Sequence, residues 1–396
     1  MPEFSPLVVQ IGGKGSEGWA VHTAARKAAD AGEDVVFLSV GDPDFGTPVG
    51  IVDRAIEALD GGDTHYTQVA GRPALRNAIA SYVSDLTGVD YAKDNTTTTA
   101  GTQGALFSTS LCLLTAGDEV IIPDPAYLTY EASLRICGAT LVPVALTDSF
   151  RLDPATIAAA VTPKTKAIMV NSPANPTGVV ATLDELAAVA AIAVEHDLWV
   201  ISDEVYAELV FDEADDGAEA THHSIAAQPG MAERTVVLGA LSKSHAMTGW
   251  RLGWAVGPPD LMLHMENLML SMNYGLPGFI QEAGVVALEQ HAADVANMRE
   301  IYRRRRDLTT FMLAEAPGLE VLVPEGGMFV LADVRGTGFT SAGFSQALFD
   351  EQRVSVLDAA NFGDRGDGWV RIAFTIDDVR LAEGCRRIVD FCHTVR

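Results

Sequence analysis

Cysteine is scarce: Cys112, Cys137, Cys385 and Cys392 are the only ones in 396 residues. None forms a CxxC pair, and no Cys/His cluster has zinc-ligand spacing, so a metal site is not expected and a reduced, intracellular setting is. Basic residues are few as well. Lys+Arg total 27 against 53 Asp+Glu, a formal charge of −26. A surface that anionic repels polyanions, so nucleic acid is not an expected partner. Solubility is the simplest role of the acidity. The start, MPEFSPLVVQ, lacks the basic region and long apolar core of a signal peptide. The longest uncharged run, NTTTTAGTQGALFSTSLCLLTAG, is broken by threonines and glycines and makes a poor membrane span. There is no internal repeat and no low-complexity linker. A soluble cytoplasmic protein, free of membrane, is the expectation.

What is present is apolar material, 48% of residues. That is enough for a large core, and the length suggests one large and one smaller domain. Apolar, β-branched runs (VVFLS, EVIIPD, TLVPVAL, KAIMVNS, LWVISDE, TVVLGAL) alternate with helical stretches such as TLDELAAVAAIAVEHD. The alternation predicts an α/β domain with a mainly parallel, buried sheet. Ligands bind beyond the carboxyl ends of such strands, so polar residues there are the ones to weigh. Near residue 285 the pattern changes. One long helix is expected over 281–316, then short strands in GMFVLADV and WVRIAF, as in a second, α+β domain. The run Arg303–Arg306 reads as a solvated helix face.

One motif points elsewhere. Gly13, Gly15 and Gly18 form G-x-G-x-x-G after LVVQI, a helical stretch follows, and VVFLSV ends at Gly41-Asp42. That order suits a dinucleotide-binding unit and an NAD-dependent dehydrogenase. It equally suits a flexible glycine-rich segment, and a lone fingerprint is weak beside the next constellation.

Four stretches place polar residues at strand ends. In TTTTAGTQGALFS a turn opens a helix at Thr102 and Gln103, where free N–H groups and the positive dipole end suit a phosphate. An ordinary strand–turn–helix reads the same way. In MVNSPANPTG, Asn175 either caps the turn or donates to a ligand; Pro176 permits a cis bond. In LWVISDEVY, Asp203 closes a buried run. A carboxylate there needs donors or a cation, so it is a helix cap, a structural ion pair, or the partner of a protonated ring nitrogen, with Tyr206 three residues on. In SKSHAMTGWR, Lys243 sits among small and apolar residues. Desolvation lowers a lysine's pKa, and a neutral amine attacks carbonyls. Arg251 offers a fork for a phosphate. An aldehyde, a phosphate and a basic ring nitrogen occur together in pyridoxal 5′-phosphate.

The chain resembles the class I aminotransferases of the aspartate-aminotransferase fold type. The resemblance runs from VGDPDFGTP through HYTQVAGRPALR, AGTQGAL, PDPAYLTY, NSPANPTG, SDEVY and SKSHAMTGWRLGW to GGMFV and WVRIAF. It implies a large three-layer cofactor domain over 46–285, with an N-terminal arm and part of the small domain in 1–45. The interdomain helix and the rest of the small domain fill 286–396. It implies a homodimer with shared active sites. It makes Lys243 the Schiff-base lysine and general base. Asp203 becomes the ring-nitrogen partner, and Asn175 and Tyr206 contacts to the ring hydroxyl. Tyr127 becomes the stacked aromatic. Thr102, Gln103 and Arg251 become the phosphate holders, joined by Tyr66 from the partner. Arg371 becomes the grip on the substrate α-carboxylate, helped by Asn175 and the backbone at Gly41. Without the resemblance, Arg371 reads as a surface strand arginine.

Two departures stand out. Ala240 replaces the Ser or Gly often found three residues before the lysine, so a hydroxyl is missing there; Ser242 or Ser244 are the candidates to compensate. Gln103 stands where aspartate-specific relatives often carry a lysine. The SKSH variant is similar to the arginine:pyruvate branch. The implied activity is ping-pong transfer of an amino group between an L-amino acid and a 2-oxo acid, L-arginine and pyruvate in that branch. Aspartate or broad-specificity transfer, and β-elimination on the same fold, are the alternatives.

Overall fold

A computed structural model describes residues 2–5, 18–211 and 221–395. LVVQI, Gly13 and Gly15 lie outside the described residues. After the helix Ala20–Asp30 comes the short strand β1 (Val36–Phe37). Then follow β2 (Thr96–Ala100), β3 (Glu119–Asp124), β4 (Thr140–Ala145), β5 (Thr165–Asn171), β6 (Trp199–Asp203), β7 (Thr235–Ala240) and β8 (Leu252–Val256). These seven form one sheet in the order β2-β8-β7-β6-β5-β3-β4. Its pairs are parallel except where β8 runs against β2 and β7. Helices cover both faces, so the strands are buried on both sides and read as continuous β-branched runs rather than alternating ones. Thr96, Thr97, Thr98 and Thr99 are all fully buried. Thr98 and Thr99 satisfy their hydroxyls on the carbonyls of Ala70 and Gly101.

The remaining strands are β9 (Glu320–Leu322), β10 (Phe329–Asp333), β11 (Val354–Ser355), β12 (Leu357–Asp358) and β13 (Trp369–Ala373). A four-stranded antiparallel sheet has the order β12-β13-β10-β9. The strand pattern alone groups β1 with the large-sheet strands, whereas the resemblance puts 1–45 partly in the small domain. β1 pairs, in parallel, with β11, so the two chain ends build one unit. That unit's core holds Leu38, Tyr302, Val330, Phe344, Ile372, Phe374 and Phe391. Each fully buried large apolar side chain there stabilises by about 1.5–3 kcal/mol.

Two further expectations are corrected. The helix expected over 281–316 is two helices, Gly278–Gln290 and Ala292–Leu313, with His291 between them. The first packs on the helix Val49–Asp60, the second on Asp378–Thr394. One straight helix cannot serve both partners, so the chain bends at His291, whose ring bonds Asp294. Arg305 and Arg306 are not solvated: they are 5% and 7% exposed. Arg305 pairs with Asp44 and Asp378, and Arg306 reaches Asp307 and the carbonyl of Pro324. Only the outer half of the run fits the expectation, with Arg303 on Glu300 and an exposed Arg304 on Asp378. Among the described residues no helix is long and apolar enough to cross a membrane.

Candidate active site

The carboxyl ends of β5, β6 and β7 and the start of the helix after β2 open onto one cavity of about 350 Å³. The β5–β6 register sets Asn171 beside Asp203. Asn171 donates to the Asp203 carbonyl and accepts from the N–H of Asn175, tying two candidate residues to one strand end. Peptide bonds Ser172-Pro173 and Asn175-Pro176 are cis.

Asp203 lies 5% exposed, facing the cavity. Burial raises its carboxyl to about 6, against the hydrogen bond from Tyr130, which lowers it. That bond runs from the Tyr130 hydroxyl to Asp203 Oδ2 at 2.6 Å. The sequence reading missed Tyr130. Its only signal was position, three residues after Tyr127 in PAYLTY, which meets it edge to face at 5.6 Å. Tyr206, 4% exposed, lines the same cavity beside Asp203, and burial holds its phenol well above the usual range.

Lys243 follows β7 in a one-turn helix, Leu241–Ser244. Its amine donates to the carbonyl of Gly41 at 2.6 Å. Burial lowers it to about 8; Asp42 opposes that shift, while Arg371 and Arg251 reinforce it. A lysine so placed is neutral in a useful fraction of molecules near neutral pH, as a nucleophile and base must be. Gly41 is required: a Cβ there would strike the Phe329 ring.

The helix Gly101–Leu113 begins at Ala100 without a side-chain cap, leaving its first N–H groups free toward the cavity. The Thr102 hydroxyl is buried there without a partner. Arg251 lies over this start, its guanidinium held by the carbonyls of Thr248 and Ala100 at 2.8 and 3.3 Å. Gly101, at φ +75°, makes room for it, since a Cβ would strike that guanidinium. Gln103 also lines the cavity, but its side-chain amide is committed to Ser133 and Thr129. Its backbone N–H remains the group available for an anion. Ser244 is tied to His245, which leaves Ser242, on the cavity wall, as the hydroxyl nearest in sequence to Ala240.

Arg371, from β13, lines the same cavity. It is 1% exposed, the reverse of a surface strand arginine. Its two Nη groups donate to Asn175 Oδ1 and the Ser39 carbonyl, both at 2.9 Å. The guanidinium carbon sits 3.9 Å over the Phe329 ring and 4.9 Å from that of Phe362. No carboxylate pairs with it among these contacts, and Nε has no partner. Burial pulls it down to about 10. A buried guanidinium without a counter-ion is costly in a resting protein and suits an arriving carboxylate. The cavity thus joins Gly41, Thr102, Gln103, Tyr127, Asn175, Asp203, Tyr206, Lys243, Arg251 and Arg371. Tyr66 is apart: it is 84% exposed and rests against Tyr274, ring centroids 4.8 Å apart. Trp19 and Asp42 also line the wall.

Comparison with known proteins places this geometry. The family model described as aminotransferase class I and II matches residues 33–388. The arginine–pyruvate transaminase of Pseudomonas aeruginosa is 46% identical over 97% of both chains. The aspartate/prephenate aminotransferase of Cereibacter sphaeroides is 38% identical over 96% of both. Among solved structures, the aspartate aminotransferase of Thermus thermophilus with maleate aligns with a TM-score of 0.92 at 32% identity, covering 98% of this chain and 100% of that one.

Proposed function

The chain belongs to the class I and II aminotransferases, and from that premise we propose that it uses pyridoxal 5′-phosphate to move an amino group from L-arginine to pyruvate. The observation that carries the cofactor is one cavity lined by part-buried Lys243, buried Asp203, Arg251 and an unpartnered Thr102 hydroxyl at an uncapped helix start. Those residues fit the group: a helix start and guanidinium for its phosphate, a carboxylate for its ring nitrogen, an amine for its aldehyde. When bound, the cofactor supplies an electrophilic carbonyl and an electron sink for the bonds at the substrate Cα.

The chain's own residues do the rest. Arg371, prepared by Asn175 and the Ser39 carbonyl, binds the α-carboxylate and so orients the Cα–H. Lys243 takes that proton and delivers it on the other side of the transfer. Asp203 keeps a positive ring nitrogen paired, Tyr206 and Asn175 bond the ring hydroxyl, and Tyr127 covers the ring face. Amino acid and oxo acid use the same grip in turn, which makes the kinetics ping-pong. Tyr66, exposed in one chain, reaches the phosphate of a partner in a homodimer. The large domain is assigned to 46–285, the small one to 1–45 and 286–396, and the protein to the cytoplasm.

Arginine is favoured over aspartate by charge. Lys243, Arg251 and Arg371 are the cations lining the cavity among the described residues, and each already has a task. None is left for a second carboxylate, and Gln103 is committed elsewhere. Asp42 stands on the wall instead, a carboxylate suited to a guanidinium.

The test is an absorption spectrum of protein loaded with pyridoxal phosphate, taken before and after L-arginine and then pyruvate. A visible band that fades with arginine and returns with pyruvate is expected. Fading with another amino acid alone discards arginine; no band at all discards the Lys243 assignment.

A further inference from the structure

Behind Asp203 lies a second carboxylate that the reaction does not use. Successive residues at a strand end point to opposite sides, and Glu204 turns away from the cavity where Asp203 faces it. Glu204 is 6% exposed. Its Oε1 accepts from the hydroxyls of Ser202 at 2.8 Å and Ser224 at 2.6 Å. Its Oε2 faces His222 Nε2 at 2.8 Å. His222 Nδ1 is buried without a partner. His222 and Ser224 thus close on the residue next to Asp203, in the same stretch that places Tyr206 on the cavity wall. On the other side of Glu204, the N–H of Val205 donates to Asp203 Oδ1, so both chain neighbours of the clamped residue are tied to each other.

We propose that Glu204, clamped by His222, Ser202 and Ser224, is a positioning residue that fixes Asp203 and Tyr206 and adds a second buried negative charge behind the cationic ring nitrogen. The proposal rests on the cofactor assignment above. A burial this deep is expensive for a carboxylate, and three donors on one side chain offset it. The neighbours facing Glu204 are Asp203, His222 and Tyr91, with Tyr82 and Glu208 on the wall of a small cleft beside it. Facing Lys243 are Asp42, Asp203, Arg251 and Arg371. The Glu204 charge pushes both Asp203 and Tyr91 upward. For a bound cation the sign is opposite: a nearby anion favours the protonated form. Removing the charge lowers the pH at which the cofactor's protonated, visible-absorbing form is lost.

Glu204→Gln keeps the shape and removes the charge; Ser224→Ala keeps the charge and removes one donor. Three readouts are needed: the affinity for pyridoxal phosphate by equilibrium dialysis, the pH midpoint of the visible band, and the melting temperature without cofactor. For E204Q the expected results are a roughly tenfold weaker affinity and a midpoint lowered by about half a pH unit. S224A is expected to weaken affinity and leave the midpoint in place. Wild-type midpoint and affinity in E204Q overturn the proposal. So does an equal midpoint shift in S224A, which marks a structural effect without charge. If E204Q does not fold, Glu204→Asp takes its place. E204D keeps the charge and shortens the reach, so a wild-type midpoint with weaker affinity is expected; wild-type affinity overturns the proposal. A wild-type protein that binds no cofactor sinks the cofactor assignment first, and D203N separates the cases. Lost binding in D203N with unchanged E204Q sinks the clamp alone.

Discussion

Arg371→Met separates substrate binding from folding. The guanidinium is fully buried, and burial pulls it down to about 10. It is charged at neutral pH in folded and unfolded chains alike, so the whole desolvation cost is present there. At 1.36 kcal/mol per tenfold change in proton affinity, that cost is roughly 3 kcal/mol. Removing the cation recovers it. Against this, Asn175 Oδ1 and the Ser39 carbonyl each lose a donor, together about 2–4 kcal/mol. The terms nearly cancel, and the cofactor-free melting temperature is expected to move by less than about 5 °C. Catalysis does not cancel. Two charge-assisted bonds to a carboxylate are worth about 3–6 kcal/mol, so kcat/KM for amino acids falls by roughly 10²–10⁴. Steady-state kinetics and calorimetry on the same sample decide it. A fall of ten degrees or more with kcat/KM preserved means that Arg371 is a structural cation, and the reasoning fails.

Two further outcomes follow from the same cavity. Lys243→Met in cofactor-free protein tests the lysine's setting. The wild-type amine is lowered to about 8, so below pH 8 it is a buried cation that destabilises the fold. The variant is therefore expected to be more stable there by about 3 kcal/mol, with the gap closing as pH rises from 8 toward the usual lysine range; a pH-independent gap in urea melts refutes it. Tyr130→Phe removes the short bond to Asp203, worth about 1–2 kcal/mol, and cofactor affinity measured by dialysis is expected to fall roughly tenfold; unchanged affinity refutes it.

The large sheet was legible because buried parallel strands are written as unbroken β-branched runs, and turn residues mark their ends. Asp203 and Lys243 were legible for the same reason: charge in an apolar run is conspicuous. Arg371 was not. A lone arginine in the short strand WVRIAF gives no sign of burial, because the groups that enclose its guanidinium, Asn175, the Ser39 carbonyl and the rings of Phe329 and Phe362, are contributed by other segments. Arg305 and Arg306 misled because their carboxylates, Asp44, Asp378 and Asp307, are mostly far away in sequence. The break at His291 carries no Gly or Pro; it comes from two packing partners that local pattern does not name. Tyr130 has no local mark, since its partner is 73 residues away.

The cavity's groups are unevenly distributed along the gene. Those assigned to the cofactor within one chain all fall between Thr102 and Arg251, an uninterrupted stretch folded on one sheet. Of those assigned to the substrate carboxylate, Gly41 and Arg371 come from the two ends, joined where β1 meets β11, and Asn175, bonded to Arg371, belongs to the cofactor stretch as well. A ribosome therefore finishes the cofactor's cradle well before it releases the residue that grips the substrate. By the same division, exchanging the terminal segments between relatives exchanges a grip for a carboxylate that all amino acids share and leaves the residues assigned to the cofactor in place.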